Sequence, residues 1–250
     1  MMEILLPVAF LVFVLVAIHS WFGLRIIRRG IIFTDLAIGQ VAALGSAVSV
    51  ALFHGEHLYL WTLGFALLGA GLITFSVQRL RYIESFIGLL YVLGASGVML
   101  VLSQSPEGME HFRELLAADI LFTSIESIEQ SALIYAVIGL LLYFVLPRTK
   151  GLINELLFFT LLAVTVTSSV QLAGVLVVFV LLIAPALMAL VQKRFTPYLV
   201  ALLSGTSFGI GAITASYYFD LPTGYTIVFF GAFSALSMVL ILDRKELEEV

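Results

Sequence analysis

The sequence predicts an all-α fold, a polytopic bundle of about nine transmembrane helices. Three observations carry that prediction: the composition, the sorting of basic residues along the chain, and the length of the apolar stretches between them. The 250 residues are 62% hydrophobic and only 11% charged, with a mean hydropathy of +1.15. A soluble domain runs at roughly 45–50% apolar and about 25% charged. A domain of this size cannot hide such an excess in one core, because much of its surface stays exposed. Lipid is the remaining solvent. At about 20 residues per span, the chain accommodates about eight or nine spans and leaves little for a soluble domain.

Eleven of the twelve basic residues fall into five clusters: Arg25/Arg28/Arg29, Arg79/Arg81, Arg148/Lys150, Lys193/Arg194 and Arg244/Lys245. Basic residues near span ends collect on the cytoplasmic side, so each interval between clusters should cross the membrane twice. The apolar run Ile4–Ile18 is signal-like in length, but Met1-Met2-Glu3 has no basic n-region, which makes the run a first span. Gly30–Phe53 and Leu58–Val77 follow as a pair, with His54-Gly55-Glu56-His57 as the outer turn. Phe86–Leu102 and Ile128–Leu146 flank a longer polar stretch that holds Arg113, the one basic residue outside the clusters. Gly151 to Gln192 reads as a tight hairpin turning at Ser168-Ser169-Val170-Gln171. Pro197 to Asp243 turns at Asp220-Leu221-Pro222-Thr223-Gly224, as Pro and Gly dictate. The N-terminus is then outside and the C-terminus cytoplasmic. With no repeat, low-complexity tract or linker, residues 1–250 read as a single transmembrane domain. Gly205 and Gly209, and Gly88, Gly94 and Gly97, are expected at helix contacts, since small residues let backbones approach in lipid.

Composition also restricts the chemistry. There is no cysteine, so disulfides and thiolate metal ligands are excluded. The net charge of −4 says nothing about partners, because the charges are sorted by side. There is no phosphate-binding G-x-x-x-x-G-K-[ST] loop, so ATP hydrolysis would need another polypeptide. An intramembrane enzyme is disfavoured, because no span carries a paired His/Glu zinc-protease motif, a Ser/His pair or two aspartates. A secondary transporter is disfavoured by the absence of repeated halves with matched broken helices.

Four stretches resemble the permease subunits of the zinc/manganese/iron ABC importers, the ABC-3 type. They are His19-Ser-Trp-Phe-Gly-Leu-Arg-Ile-Ile-Arg-Arg-Gly30 with the Ile31–Gly45 helix after it, Ile83-Glu84-Ser-Phe-Ile-Gly88, Gly174-Val-Leu-Val-Val-Phe-Val-Leu-Leu-Ile-Ala-Pro185-Ala186, and Ser216-Tyr-Tyr-Phe-Asp220-Leu-Pro-Thr-Gly224. The resemblance implies a type II importer fold like that of the vitamin B12 permease, in a bacterial or archaeal cytoplasmic membrane. It implies a permease homodimer that moves a divalent metal cation as substrate, with no bound cofactor and no enzymatic activity of its own. Its partners would be two copies of a cytoplasmic ABC ATPase and an extracytoplasmic solute-binding protein, with no role for nucleic acid. A related permease for a metal chelate or other small solute, with no dedicated metal ligands, is the alternative.

The resemblance also assigns residues. Pro185–Pro197 is expected to form a coupling helix across the membrane plane, proline breaking the chain at each end, with Pro185, Ala186, Leu190, Lys193 and Arg194 meeting the ATPase. The family's second helix carries an aspartate with a histidine four residues later. Here Asp35 is followed by Gly39 at that spacing, and Gln40 is the next polar side chain. Asp35 and Gln40 are the candidate path contacts. They lie about 140° apart on a straight helix and would share an ion only if it bends. Asp35 can alternatively stabilise its own helix start.

The other ionisable residues follow from position. His54, Glu56 and His57 are a candidate surface capture site, because imidazole suits zinc and similar ions. His111 falls in an outer loop, and His19 near the inner end of the first span, where helix packing accounts for it. Glu84 and Glu155 sit near cytoplasmic span ends. The acidic outer segment, Glu107, Glu110, Glu114, Asp119, Glu126 and Glu129, carries Met109, Phe112, Leu115, Leu116 and Ile120 at helical spacing. It is expected as an amphipathic surface helix that offers a docking rim to a basic partner.

Overall fold

The structure, a computed structural model, describes residues 2–103, 120–192 and 194–247. Among these residues every regular element is helical. The order is α1 (Met2–Arg29), α2 (Thr34–Phe53), α3 (Leu58–Val77), α4 (Ile83–Leu102), α5 (Ile125–Leu140), α6 (Gly151–Ala173), α7 (Val175–Val191), α8 (Pro197–Phe219) and α9 (Thr223–Leu247). A short 3-10 turn, Ile120–Phe122, precedes α5, which runs on through a π turn and a 3-10 turn to Arg148. Eight of these segments are long and apolar enough to cross a bilayer. The ninth, α7, has 17 residues and is apolar throughout, about 25 Å long at 1.5 Å per residue. The membrane-spanning helical bundle expected from composition is therefore present. The acidic surface helix expected over residues 104–119, with His111 and Arg113, lies outside the described residues.

The ends of the elements follow local chemistry. α1 stops at Gly30, whose φ of 66° is left-handed and suits glycine. Between α2 and α3, His54 and His57 themselves adopt left-handed φ of 54° and 55°. The turn is held by Ser49, whose Oγ donates to the Glu56 carbonyl at 2.8 Å, and by Phe53 stacked on Trp61. At the far end of α8, Asp220 is also left-handed, with φ 52°. Ser216 Oγ donates to the Leu221 carbonyl at 2.6 Å and lies 2.8 Å from Thr223 Oγ1, locking the turn into α9.

Two expected boundaries move. The hairpin turn expected at Ser168–Gln171 falls instead at Gly174, with φ 81°, because α6 continues through those polar residues to Ala173. Their hydroxyls are satisfied within the helix bundle: Ser169 Oγ donates to the Thr165 carbonyl at 2.6 Å, and Tyr135 Oη lies 2.9 Å from Ser169 Oγ. The second change is at Pro185, where the chain does not break. α7 continues through it to Val191, so no separate helix begins at Pro185.

The chain divides into two compact units. Unit 1 comprises Met1–Gly30, Asp119–Leu133 and Leu172–Val250, and unit 2 comprises Ile31–Ala118 and Ile134–Gln171. In unit 1, α1, α7, α8 and α9 pack at glycines. A Cβ at Gly23 would run into the Leu182 carbonyl, and one at Gly205 would come within 2.6 Å of Val16 and 2.9 Å of Pro185. Gly209 meets Val12 in the same way, so the G-x-x-x-G pair seats α8 on α1. In unit 2, α2 is clasped between α3 and α4. Gly45 faces the Trp61 carbonyl, Gly94 the Gln40 backbone at 2.9 Å, and Gly97 the Leu44 side chain at 3.1 Å, whereas Gly88 has open space beside it. Large apolar side chains such as Leu89, Leu100, Leu203 and Phe229 remain exposed around both units. Such a surface is suited to lipid and not to water.

Candidate functional site

In a membrane-length helix, a buried charge with an unsatisfied atom is the feature most in need of a functional account. Asp35 is that feature. It lies in the first turn of α2 and is 2% exposed. The backbone N–H groups of Leu36 and of Asp35 itself lie by its carboxylate, but Oδ1 has no hydrogen-bond partner. The residue before the helix, Phe33, provides no side-chain cap. Its N–H instead donates to Glu84 Oε1 of α4 at 3.3 Å, which ties the start of α2 to the neighbouring helix.

The surroundings of Asp35 follow from helix periodicity. Gly39, Ala42 and Ser46 fall within roughly 60° of Asp35 around α2, and all are buried. This stripe is small-sided. At Gly39 a Cβ would meet only Val166 of α6, at 3.8 Å. Ser46, 2% exposed, has an Oγ with no partner. Many hydroxyls in these helices, such as Thr74 and Thr165, return to the carbonyl four residues back, whereas Ser46, like Ser20, Thr167 and Thr206, does not. Unit 2 therefore carries a buried, small-sided lane along α2 with the Asp35 carboxylate in its first turn and the Ser46 hydroxyl about three turns on.

Gln40 does not share that lane. α2 is an unbroken helix, and Gln40 turns toward α4, where Gly94 packs on its backbone. With α2 helical throughout, Asp35 and Gln40 point to different sides of it, Gln40 to the α4 side. His54, Glu56 and His57 sit together in sequence at an exposed turn, but no group of three or more His, Asp or Glu able to hold a metal occurs among the described residues. The histidines' left-handed backbone serves the turn.

The coupling residues are also redistributed. Ala186 is fully buried and forms a cluster with Leu24, Ala189 and Ala201, against which Leu190 packs. Pro185 is buried against Gly205. Lys193 lies outside the described residues. What faces outward is the turn from Gln192 to Thr196, with Arg194 exposed and Phe195 72% exposed. Gln192 builds this turn. Its Oε1 accepts the N–H groups of Arg194 and Phe195 at 3.0 and 2.9 Å, and its Nε2 donates to the carbonyls of Ala189 and Phe195. Gln192 belongs to the segment the sequence marks for coupling, whereas Phe195 is not singled out there. The available signal was a lone amide followed by an aromatic between two basic residues and a proline.

Residues 148–242 match the model of the ABC 3 transport family. A probable iron transport system membrane protein of Haemophilus influenzae is 33% identical over 152 residues, 54% of this chain and 56% of that protein. An uncharacterized membrane protein of Cyanophora paradoxa is 27% identical over 169 residues, 60% of this chain and 56% of the relative. The chain thus spans little more than half the length of the curated relatives it matches. Among solved structures, PsaBC from Streptococcus pneumoniae in complex with Fab matches with a TM-score of 0.75 at 18% identity, over 93% of this chain and 90% of that one. A metal-chelate type ABC transporter in an inward-facing conformation matches with a TM-score of 0.66 at 16% identity, over 95% and 86%. These two likenesses concern the fold. The family match thus falls on the C-terminal part of the chain, residues 148–242, and the chain is similar to the Haemophilus protein over about half its length.

Proposed function

We propose that this chain is the permease subunit of an ABC importer and that its substrate is a divalent metal cation passing along the Asp35 lane of α2. The observation that carries the reading is the Asp35 carboxylate, buried in a membrane-length helix with Oδ1 unpartnered. A charge held there at a cost of a few kcal/mol is explained by a passing cation that relieves it. One carboxylate without a histidine gives weak, fast contact, which suits transit over storage. The name of the Haemophilus relative supports iron or a similar ion.

The remaining parts of the reading follow from the resemblance to the ABC 3 transport family. The chain acts as one transmembrane domain, as a homodimer, with two cytoplasmic ATPases below and a solute-binding protein outside. The basic ends of the helices face the cytoplasm and the N-terminus lies outside, in a prokaryotic cytoplasmic membrane. The exposed Gln192–Thr196 turn takes the coupling role, Arg194 and Phe195 meeting the ATPase. The test is metal uptake by proteoliposomes holding the permease with its ATPase and binding protein, comparing Asp35→Asn with the native chain. A second reading, passage of a metal chelate, is favoured by the absence of a three-ligand cluster among the described residues. It predicts that chelated metal competes for uptake and that Asp35→Asn has little effect.

A further inference from the structure

A groove runs along the surface of unit 2. It is lined by His57, at the start of α3, and by Leu60, Trp61, Gly64, Phe65 and Leu68 of that helix, and it has a volume of about 430 Å³. Steps of three and four residues put all six on one face. The volume lies within the roughly 300–1,000 Å³ of ligand sites.

The local sequence builds this shape. Gly64 is the floor: a Cβ there would meet nothing within 4 Å, so the missing side chain leaves a notch. Trp61 and Phe65 form a wall that is held in place. Trp61 stacks on Phe53 with ring centroids 4.8 Å apart, and its ring lies 6.3 Å from that of Phe65. Gly45 lets α2 support the same stretch closely, since a Cβ there would come within 2.8 Å of Phe65 Cβ. Leu60 and Leu68, 64% and 62% exposed, complete the lining.

The position of the groove says what fills it. α3 is long and apolar enough to cross a bilayer, and Leu72 and Phe75 stay exposed further along it, so the medium beside it is hydrocarbon. From His57 to Leu68 the lining covers about 16 Å of helix at 1.5 Å per residue. That is roughly one leaflet of a hydrocarbon core about 30 Å thick. The one ionisable lining residue, His57, stands at the end where the chain turns, with Trp61 one turn on, as tryptophan is placed at membrane interfaces. His57 and Glu56 are both exposed. An imidazole N–H donates to a phosphate, while the carboxylate beside it attracts an ammonium and repels a headgroup of net negative charge. A notch one side chain deep suits a hydrocarbon chain and not a second helix about 10 Å across.

We infer that the α3 groove holds an acyl chain of one phospholipid whose headgroup carries both phosphate and ammonium and sits at His57 and Glu56. The inference rests on the membrane span of α3 and not on the transport reading above. Native mass spectrometry of the full-length protein, released from detergent micelles after titration with phosphatidylethanolamine, counts the retained lipids. Gly64→Leu fills the notch and should retain one lipid fewer than the native chain. Gly71→Leu alters an equally open α3 glycine outside the groove and should retain the native number. Phosphatidylglycerol should be held less well by the native chain, and Glu56→Gln should remove that difference. Equal retention by Gly64→Leu and native protein would overturn the inference. So would a Gly64→Leu chain that keeps its lipids but passes from dimer to monomer in light scattering, because the groove would then belong to a second copy.

Discussion

The backbone N–H of Phe33 donates to Glu84 Oε1 at 3.3 Å, joining the residue before α2 to the first turn of α4 across 51 positions. Asp35 stands two residues beyond that bond, so Glu84 positions the start of the helix that presents the buried carboxylate. Glu84→Ala should cost about 1 kcal/mol, the usual net worth of one hydrogen bond, and should lower the melting temperature. Glu84→Gln keeps an acceptor oxygen and should melt close to the native chain. Equal melting of Glu84→Ala and native protein would contradict the role.

Helix contacts through glycine make a second, graded prediction. Gly94→Val would force a side chain into the Gln40 backbone, whereas Gly71→Val meets nothing within 4 Å. Overpacking costs about 1–3 kcal/mol, so the first should melt measurably lower in detergent and the second should not. Similar losses in both would show that propensity, not packing, governs these positions.

The outward turn after α7 yields a separation of effects. Phe195→Ala should reduce co-purification of the ATPase while leaving the permease's melting temperature unchanged, since Phe195 is exposed. Ala186→Asp should instead unfold unit 1, because it drives a charge into the Leu24–Ala189–Ala201 cluster. Full-stoichiometry recovery of the ATPase with Phe195→Ala would move the contact elsewhere.

Orientation is tested by introduced cysteines, since the chain has none of its own. A cysteine at Gly55 should react with an impermeant thiol reagent from outside. Cysteines at Gln78 and Thr149 should react only after permeabilisation. External labelling at Thr149 would invert the proposed arrangement.

Much of this architecture is legible in the sequence, because each basic cluster marks a helix end and the apolar lengths between clusters match the spans. The failures have physical causes. Ser168 and Ser169 look like a turn by polarity, yet their hydroxyls bond within the helix and to Tyr135, so the chain turns at Gly174 instead. Pro185 looks like a stop, but a membrane helix tolerates proline when its neighbours are packed around it, as Gly205 is here. Asp35 is visible as a lone acid in an apolar run. Helix spacing alone puts Ser46 on the Asp35 face and Gln40 off it; that α4 packs on the Gln40 side, through Gly94, is visible only in the structure.

The central claim is that the Asp35 carboxylate meets the moving cation, and uptake of iron or manganese by proteoliposomes containing the complete transporter measures it directly. Asp35→Asn preserves size and the ability to accept the first-turn N–H groups while removing the charge. If the carboxylate is the cation contact, uptake should fall by at least about tenfold, equivalent to roughly 1.4 kcal/mol, while ATPase association and melting temperature stay at native values. Native uptake by Asp35→Asn, with Asp35→Ala lowering only the melting temperature, would contradict the claim and leave Asp35 as a stabiliser of its own helix.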